Sequence, residues 1–489
     1  MDLLRALQPK ETLSLEHVRF DRTLFEEQVA GAPRLQALLD AGAEYPAWRD
    51  LVEDVFLSLY KVDPRQRPAA AMRPSHRPNH ELIRMTMETP AHRDARAYSI
   101  QDELLSAAGV LQFGDTLLEQ IRQRQELDQL FRHGPSGPDG STPGEMPDQG
   151  GGGGEGDGER GGAGPEAGEA LEQALRQHSQ ALRQAVRAAA GAAAEQAEHA
   201  AAALAAWGFD RGMLRHLPLE QQLALLERLL KSPDLQQITR MLGAVRSLLR
   251  GLHRLRTARA PDTLVGIEPG GDLERVLPQE LALLEYPGLR PLFFARLLDR
   301  SLTQYRLKDR PKGGMGPFVV CLDASGSTAG PVQAWIKAVA LALAQLARDQ
   351  GRDFAGVVFG SSEELLCIDV PARLPPAEYM QRVVDLGTAF FGGGTDFDAP
   401  LGMALDLIER HEGLRRADIL FVTDGYAQVS DETAARITQA REAAGLRLWG
   451  VLIGNVDPSS LAPVADRVLA VSNPGLEAAE AVFEAVLSR

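Results

Sequence analysis

The stretch Phe318-Val-Val-Cys-Leu-Asp323-Ala-Ser-Gly-Ser327 decides the fold of the C-terminal part of the chain. Its first five residues form a short, continuous apolar run, which is typical of a strand buried on both faces of a sheet. A helical pattern follows with Pro331 near its start, and strand-like and helix-like segments then alternate to the end of the chain. This alternation predicts βαβ units and an α/β doubly wound, mainly parallel sheet over residues 313–489.

The sequence before this sheet predicts an all-α region in two parts. Residues 1–133 carry helical apolar faces, such as Trp48, Leu51 and Val55, and form a predicted helical N-terminal domain. Residues 169–312 return to helical stripes and end in a connector that contains a Leu-rich amphipathic stretch at 281–302. Between them, residues 134–168 are dominated by Gly and Pro with scattered acids, which predicts a disordered, Gly-rich acidic linker.

The bulk composition excludes several classes of protein. A chain of 489 residues predicts two or three domains, and a net charge of -15 disfavours a general nucleic-acid binder. The two cysteines, Cys321 and Cys367, are too few for a disulfide framework. The first ten residues lack a signal-peptide pattern, and no stretch approaches the roughly 20 apolar residues of a membrane span. We therefore expect a cytoplasmic protein with no transmembrane segment and no nucleic-acid partner.

Three segments carry side-chain oxygens at places where strands are predicted to end or helices to begin. Asp323, Ser325 and Ser327 follow the first apolar run, Thr395 follows a run of three glycines, and Asp424 follows the apolar run at 419–422. Ligands of open parallel sheets bind at the carboxyl ends of the strands. We therefore expect these five side chains to meet at one edge of the sheet.

The chemistry of this set indicates a hard divalent cation. Two carboxylates neutralise a dication and three hydroxyls add neutral oxygen ligands, whereas His and Cys, which zinc prefers, are absent from the set. The expected ion is Mg²⁺, with Mn²⁺ or Ca²⁺ as alternatives. Five protein ligands leave a sixth position open, and a carboxylate from a partner can occupy it.

The five positions, in this order, resemble the metal-ion-dependent adhesion site (MIDAS) of von Willebrand factor A domains, which have a Rossmann-like fold. The resemblance covers residues 317–489. It implies that Ser325, Ser327 and Thr395 bind the metal directly or by switching, and that Asp323 and Asp424 bind it directly or through water. One departure is Thr328, where many members have Met, but that position is not a ligand.

A narrower resemblance extends upstream. The segments Gly271-Asp-Leu-Glu-Arg-Val-Leu-Pro-Gln-Glu-Leu-Ala-Leu-Leu284 and Gly314-Met-Gly-Pro-Phe318 are similar to the bacterial ViaA-type proteins. Those proteins join a helical N-terminal region to an A domain and work with AAA+ ATPases of the MoxR class, of which RavA is the best-known type. The resemblance implies a chaperone-like adaptor or co-chaperone whose metal site binds an acidic side chain of the ATPase or of a client.

Two alternatives remain open. A metal-chelatase-like A-domain subunit would also combine an acidic linker, an A domain and an AAA+ partner. A metal-dependent phosphohydrolase of the haloacid dehalogenase type would need a second acid two residues after its nucleophilic Asp, where this chain has Ser325, which cannot protonate a leaving group. The sequence also lacks a Gly-x-Ser-x-Gly elbow at Ser325 and a Walker A motif. We therefore predict a protein that is not an enzyme and has no catalytic residues.

Overall fold

The computed structural model describes residues 11–133, 176–258, 264–307 and 316–487. The chain groups into two compact units, Met1–Gln236 and Gln237–Arg489, and the division falls within the helix Pro233–Ala258. The predicted linker at 134–168 lies outside the described residues. The four-segment division predicted from the sequence is finer than this grouping and stays a prediction.

The first unit is helical over its described residues, apart from isolated β-bridges that join residues 11 and 15 to residues 72 and 66. Short 3-10 turns lie at Ala69–Ala71 and Pro74–His76. The helices are α1 (Arg19–Gly31), α2 (Pro33–Ala41), α3 (Trp48–Tyr60), α4 (Arg77–Glu88), α5 (Pro90–Ser99), α6 (Glu103–Arg122), α7 (Gln125–His133), α8 (Ser179–Trp207), α9 (Arg211–Leu214), α10 (Leu219–Lys231) and α11 (Pro233–Ala258).

Small side chains let the long helix α8 pack closely along α5 and α6. Ala189, Ala193, Ala197 and Ala200 recur on one face of α8 and are buried. Alanine also has the highest helix propensity, which suits a helix of 29 residues. None of the described helices is both long enough and apolar enough to cross a membrane.

The all-α prediction is wrong for residues 264–307. Strands β1 (Leu264–Gly270) and β2 (Leu302–Leu307) form a two-stranded antiparallel sheet here, together with α12 (Pro278–Leu281) and α13 (Arg290–Leu298). Gly266 and Pro269 interrupt any alternation in β1, and the leucines before β2 are spaced as in a helix. Pairing between two strands that are separated by 31 residues (271–301), which a local pattern does not report, decides the structure of this segment.

The buried carboxylate of Glu280 on α12 forms hydrogen bonds with both β2 and α13. It accepts hydrogen bonds from Thr303 Oγ1 at 2.7 Å and from the backbone amide of Thr303 at 3.2 Å. Arg296 on α13 lies 3.1 Å from both carboxylate oxygens. The hydrogen bond from the Thr303 hydroxyl has the largest effect on the pKa of Glu280 and lowers it. Burial raises this pKa and the contacts with Arg296 lower it, so that the net shift is below the usual range. The segment 271–284 noted in the sequence therefore holds β2 and α13 in place.

The second unit is built on a six-stranded sheet with the order β5-β4-β3-β6-β7-β8. All neighbouring pairs are parallel except β4 and β5, which confirms the predicted mainly parallel sheet. The strands are β3 (Phe318–Asp323), β4 (Phe354–Phe359), β5 (Leu365–Val370), β6 (Asp418–Thr423), β7 (Leu448–Ile453) and β8 (Arg467–Val471).

Helices cover both faces of this sheet. Val319 and Cys321 of β3 point into a core shared with Leu401 and Leu405 of α16 and Ile437 of α17. The intervening residues of β3 point to the opposite face, where α14 packs on β3 and β4 and is buried along most of its length. The helices are α14 (Pro331–Asp349), α15 (Pro376–Thr388), α16 (Asp398–Arg410), α17 (Asp431–Ala444) and α18 (Leu476–Leu487).

The strand order reverses between β3 and β6. From β3 the chain crosses through α14 to β4 on one side, and from β6 it crosses through α17 to β7 on the other side. At such a reversal the two connections leave the carboxyl ends of neighbouring strands in opposite directions and open a crevice between them. The fold therefore places its natural ligand position between the ends of β3 and β6.

Candidate metal centre

Asp323, the last residue of β3, is fully buried at this crevice. Its Oδ1 accepts a hydrogen bond of 2.9 Å from the backbone amide of Ser325, which folds the chain into a tight turn. The turn brings the Oγ atoms of Ser325 and Ser327 to 3.1 Å from one another. The three residues of the predicted motif therefore present their oxygens to one side of the loop.

The end of β6 meets this loop directly. Ser327 Oγ donates a hydrogen bond of 2.7 Å to Asp424 Oδ1. Thr423, the last residue of β6, donates from Oγ1 to Asp323 Oδ2 and accepts a 2.9 Å hydrogen bond from the amide of Gly425. Thr423 was not among the predicted site residues. Its position beside Asp424 is visible in the sequence, but its inward orientation depends on the register of β6 against β3.

The glycine run that precedes Thr395 lies against the same loop. The amide of Gly392 donates to the carbonyl of Ala324 at 2.9 Å, and the amide of Gly326 donates to the carbonyl of Gly393 at 3.0 Å. A Cβ atom placed on Gly425 would lie 2.5 Å from Thr395 Oγ1, so only glycine at position 425 leaves room for that side chain. Thr395 therefore packs on the turn that carries Asp424.

The structure thus gathers all five predicted residues at the carboxyl edge of the sheet. Hydrogen bonds link Asp323, Ser325, Ser327 and Asp424 into one chain, and Thr395 joins them through its contact with Gly425. Asp323 and Ser325 are buried, Thr395 and Asp424 are half-buried, and Ser327 is exposed. The cluster is accordingly closed below and reachable from solvent above. Their role as metal ligands stays a prediction.

Thr328, which is not a ligand position, supports the loop from below. It is fully buried, and its Oγ1 lies 2.8 Å from the carbonyl of Ser325 and 2.6 Å from the side-chain oxygen of Gln333. One hydroxyl proton cannot serve two acceptors, and Gln333 Nε2 is buried without a hydrogen-bond partner among the described residues. Turning the amide satisfies both groups: Nε2 donates to Thr328, and Thr328 donates to Ser325.

The electrostatics of the cluster fit a divalent cation. Burial, and then the charge of Asp424, raise the pKa of Asp323, while hydrogen bonds from Ser325 and Thr423 lower it, with a net shift upward. Within the described chain no cationic side chain is among the groups that shift this pKa, although a buried carboxylate is costly without a counter-charge. A divalent ion would supply that charge, and oxygen donors alone suit a hard cation.

No group of three or more His, Cys, Asp or Glu side chains arranged to hold a metal occurs among the described residues. The predicted set contains two such side chains, Asp323 and Asp424, and its role in metal binding stays a prediction. These oxygen donors suit Mg²⁺, Mn²⁺ or Ca²⁺ better than they suit ions that prefer imidazole or thiolate ligands.

Comparison of the sequence with known proteins gives distant relatives. No family model matches the chain. The uncharacterized protein MJ0811 of Methanocaldococcus jannaschii is 26% identical over 285 residues, which cover 58% of this chain and 64% of that protein. A second uncharacterized protein of the same organism, MJ0077, is 23% identical over 290 residues, covering 59% of this chain and 72% of the relative. The chain thus spans less than two thirds of the first relative.

Comparison of the structure gives neighbours of the von Willebrand factor A type at low overall similarity. A von Willebrand factor type A protein from Catenulispora acidiphila has a TM-score of 0.29 at 20% identity, covering 38% of this chain and 43% of its own. Proximal thread matrix protein 1 from the mussel byssus, solved with zinc occupying its MIDAS motif, has a TM-score of 0.28 at 14% identity, covering 35% and 47%. The pilus adhesin SpaC from Lactobacillus rhamnosus GG has a TM-score of 0.29 at 12% identity, covering 36% and 30%.

Proposed function

We propose that the second unit is a metal-dependent protein-interaction module that is not an enzyme. Asp323, Ser325, Ser327, Thr395 and Asp424 would hold the ion, which we propose to be Mg²⁺. When bound, the ion supplies a Lewis-acidic position that a carboxylate from a partner can occupy. The single observation that carries this proposal is the convergence of these five oxygen-bearing side chains at the point where the strand order reverses.

The accessibility of the cluster supports recognition from outside. Asp323 and Ser325 form a buried floor, whereas Ser327 is exposed and Asp424 and Thr395 are half-buried. A partner side chain can therefore approach from the side of Ser327 without unfolding the sheet. The buried residues would fix the ion, and the exposed ones would share it with the partner.

We further propose that the partner is a MoxR-type AAA+ ATPase, or a client of such an ATPase, in the bacterial cytoplasm. The support is the resemblance of segments 271–284 and 314–318 to ViaA-type proteins, together with the order of a helical unit followed by the sheet unit. The chain has no Walker A motif, so ATP hydrolysis would belong to the partner. In this proposal the chain acts as an adaptor or co-chaperone.

The phosphohydrolase alternative has less support. A nucleophilic Asp323 would need an acid nearby to protonate the leaving group, and the position two residues on is Ser325. Both carboxylate oxygens of Asp323 also accept hydrogen bonds, from Ser325 and from Thr423. We expect no phosphate release from a general phosphatase substrate in Mg²⁺ or Mn²⁺. Turnover that disappears in Asp323→Asn would favour the enzyme instead.

The experiment that tests the proposal is co-purification of partners from native cells with Mg²⁺, with EDTA and with Thr395→Ala. Thr395→Ala keeps both carboxylates, so its loss of metal affinity should be limited to about three- to tenfold, which saturating Mg²⁺ compensates, while the ligand shell that the partner meets is altered. Loss of a charge-assisted contact at a buried interface typically costs about 2–5 kcal/mol, roughly 30-fold or more in affinity.

We expect an AAA+ ATPase or its client to be recovered in Mg²⁺ and lost in EDTA and in Thr395→Ala. Thr388→Ala, which removes an exposed hydroxyl at the end of α15 outside the cluster, serves as the matched control and should retain the partner. Full recovery of the partner in both EDTA and Thr395→Ala would assign docking to another part of the chain.

A further inference from the structure

Two exposed aromatic side chains flank the candidate metal centre along the chain. Phe390 is 46% exposed and begins the loop whose next residues, Phe391 and Gly392, donate backbone hydrogen bonds to Ala324. Tyr426 is 61% exposed and directly follows the Asp424-Gly425 turn. Large aromatic side chains exposed beside a polar site are typical of an interface that buries them on binding.

The loop segments at the same edge of the sheet carry negatively charged side chains and no positively charged ones. The segments that follow β3, β4, β6, β7 and β8 (residues 324–330, 360–364, 424–430, 454–460 and 472–475) and the glycine loop at 389–397 contain no Lys, Arg or His. With Asp323 at the end of β3, they carry six carboxylates: Asp323, Glu363, Glu364, Asp396, Asp424 and Asp457.

Three of the four acids outside the cluster are tied to neighbouring backbone. Glu364 accepts from the amide and hydroxyl of Ser361, Asp396 from the amide of Ala399, and Asp457 from the amide of Ser459. These hydrogen bonds hold the negative charges at the edge of the sheet. A divalent ion would balance Asp323 and Asp424 only, so the surrounding surface keeps a net negative charge.

We propose that the partner segment bound at this edge of the sheet carries a single carboxylate flanked by apolar or basic residues. Phe390 and Tyr426 would contact the apolar residues on either side of that carboxylate. This inference rests on the proposed function and specifies its partner. A second acid beside the first would lie near the carboxylates outside the cluster (Glu363, Glu364, Asp396 and Asp457) rather than near the ion. Repulsion between solvent-exposed charges of the same sign should lower the binding affinity by about two- to fivefold. Acid-rich segments are therefore disfavoured, although a metal site alone would accept them equally well.

A selection of random displayed heptapeptides on the immobilised full chain tests the proposal. Binding is carried out in Mg²⁺, and the peptides are eluted with EDTA. We expect the eluted peptides to contain one Asp or Glu with aromatic, aliphatic or basic neighbours. Enrichment of acid-rich peptides in the EDTA eluate over the starting library would overturn the inference and leave the proposed function intact. Peptides without a carboxylate, peptides that resist EDTA, or an empty eluate would overturn the proposed function as well.

Variants distinguish the contribution of Phe390, Tyr426 and Glu363 to peptide binding from that of the ion. Phe390→Ser and Tyr426→Ser should each weaken the best selected peptide by about tenfold and leave Mn²⁺ affinity unchanged. Leu476→Ser, which removes a 49% exposed side chain at the start of α18, is the matched control and should weaken neither. Glu363→Lys, at an exposed position, should shift the selection toward acid-rich peptides. Unchanged peptide affinity in both aromatic variants, or an unchanged selection with Glu363→Lys, would contradict the proposal.

Discussion

Ser327 Oγ donates a 2.7 Å hydrogen bond to Asp424 Oδ1, which joins two loops that are 97 residues apart in the sequence. The two residues follow neighbouring parallel strands, β3 and β6, and so meet at the same edge of the sheet. This contact turns two separate motifs into one group of donors. The order of the strands, rather than either loop alone, therefore makes the site.

Thr328 should control the affinity of the metal site without contacting the ion. Thr328→Val keeps the shape of the side chain but leaves the buried amide of Gln333 without its partner. It also removes the hydroxyl hydrogen bond to the carbonyl of Ser325, which then keeps only the hydrogen bond from the backbone amide at position 328. An unpaired buried polar group costs about 1–3 kcal/mol, so we expect Mn²⁺ affinity to fall about tenfold. Titration of Mn²⁺ followed by electron paramagnetic resonance measures this change. Thr328→Ser keeps the hydroxyl and should restore most of the affinity; equal losses in the Val and Ser variants would show that the methyl group, not the hydroxyl, matters.

Gly425 should tolerate no side chain, because Thr395 occupies the space beside it. Gly425→Ala would place a methyl group 2.5 Å from Thr395 Oγ1 and 2.7 Å from its Cγ2, so Thr395 must move. We expect metal affinity to fall by about three- to tenfold, as for the loss of one neutral ligand hydrogen bond or contact. The control is Gly394→Ala in the same loop, where the methyl group would meet only Ser361 Cβ at 4.0 Å. Equal metal affinity in the two variants would remove Thr395 from the site.

Lys337 should destabilise the second unit at neutral pH. It is fully buried in α14, its Nζ has no hydrogen-bond partner among the described residues, and burial lowers its pKa to about 7. The unfolded chain holds this proton up to its ordinary pKa of 10.5, whereas the folded chain releases it above about 7, so stability rises with pH between these values. Lys337→Met should therefore stabilise the protein by up to about 4 kcal/mol at pH 7, and by less at pH 10.

Urea unfolding of the full chain at pH 7 and pH 10 measures this difference. Lys231→Met replaces a 77% exposed lysine of α10 and should have little effect at either pH. A gain from Lys337→Met of the same size at both pH values would mean that the lysine is charged in the folded protein throughout this range.

The sheet and the donor set could be predicted because their signals are local. The predicted alternation of strand-like and helix-like segments corresponds to strands such as β5 (Leu365–Val370) and helices such as α16 (Asp398–Arg410). Asp323, Ser325 and Ser327 lie within five residues of one another. Thr395 directly follows a run of three glycines, and Asp424 lies just after an apolar run.

The remaining features depend on contacts between distant residues. The inward side chain of Thr423 follows from the register of β6 against β3, and the role of Thr328 follows from its hydrogen bonds with Gln333 and Ser325. The β1–β2 sheet forms through pairing across the 31 residues 271–301, in a segment whose leucine spacing predicts a helix. A single sequence reports periodicity along the chain but not which face a neighbouring element covers.

The most direct test of the central claim is calorimetric titration of the full chain with Mg²⁺ and Mn²⁺, compared with Asp323→Asn, Ser327→Ala and the control Asp457→Asn. Asp457 lies at the same edge of the sheet but outside the five-residue cluster, where it caps the turn at Pro458–Ser460. We expect one ion per chain in the native protein and in Asp457→Asn. Affinity should fall about 100-fold or more in Asp323→Asn, because the buried negative charge and one of the two carboxylate oxygens are removed together, and about tenfold in Ser327→Ala. Unchanged Mg²⁺ and Mn²⁺ affinity in Asp323→Asn would contradict the assignment of the metal to these five residues.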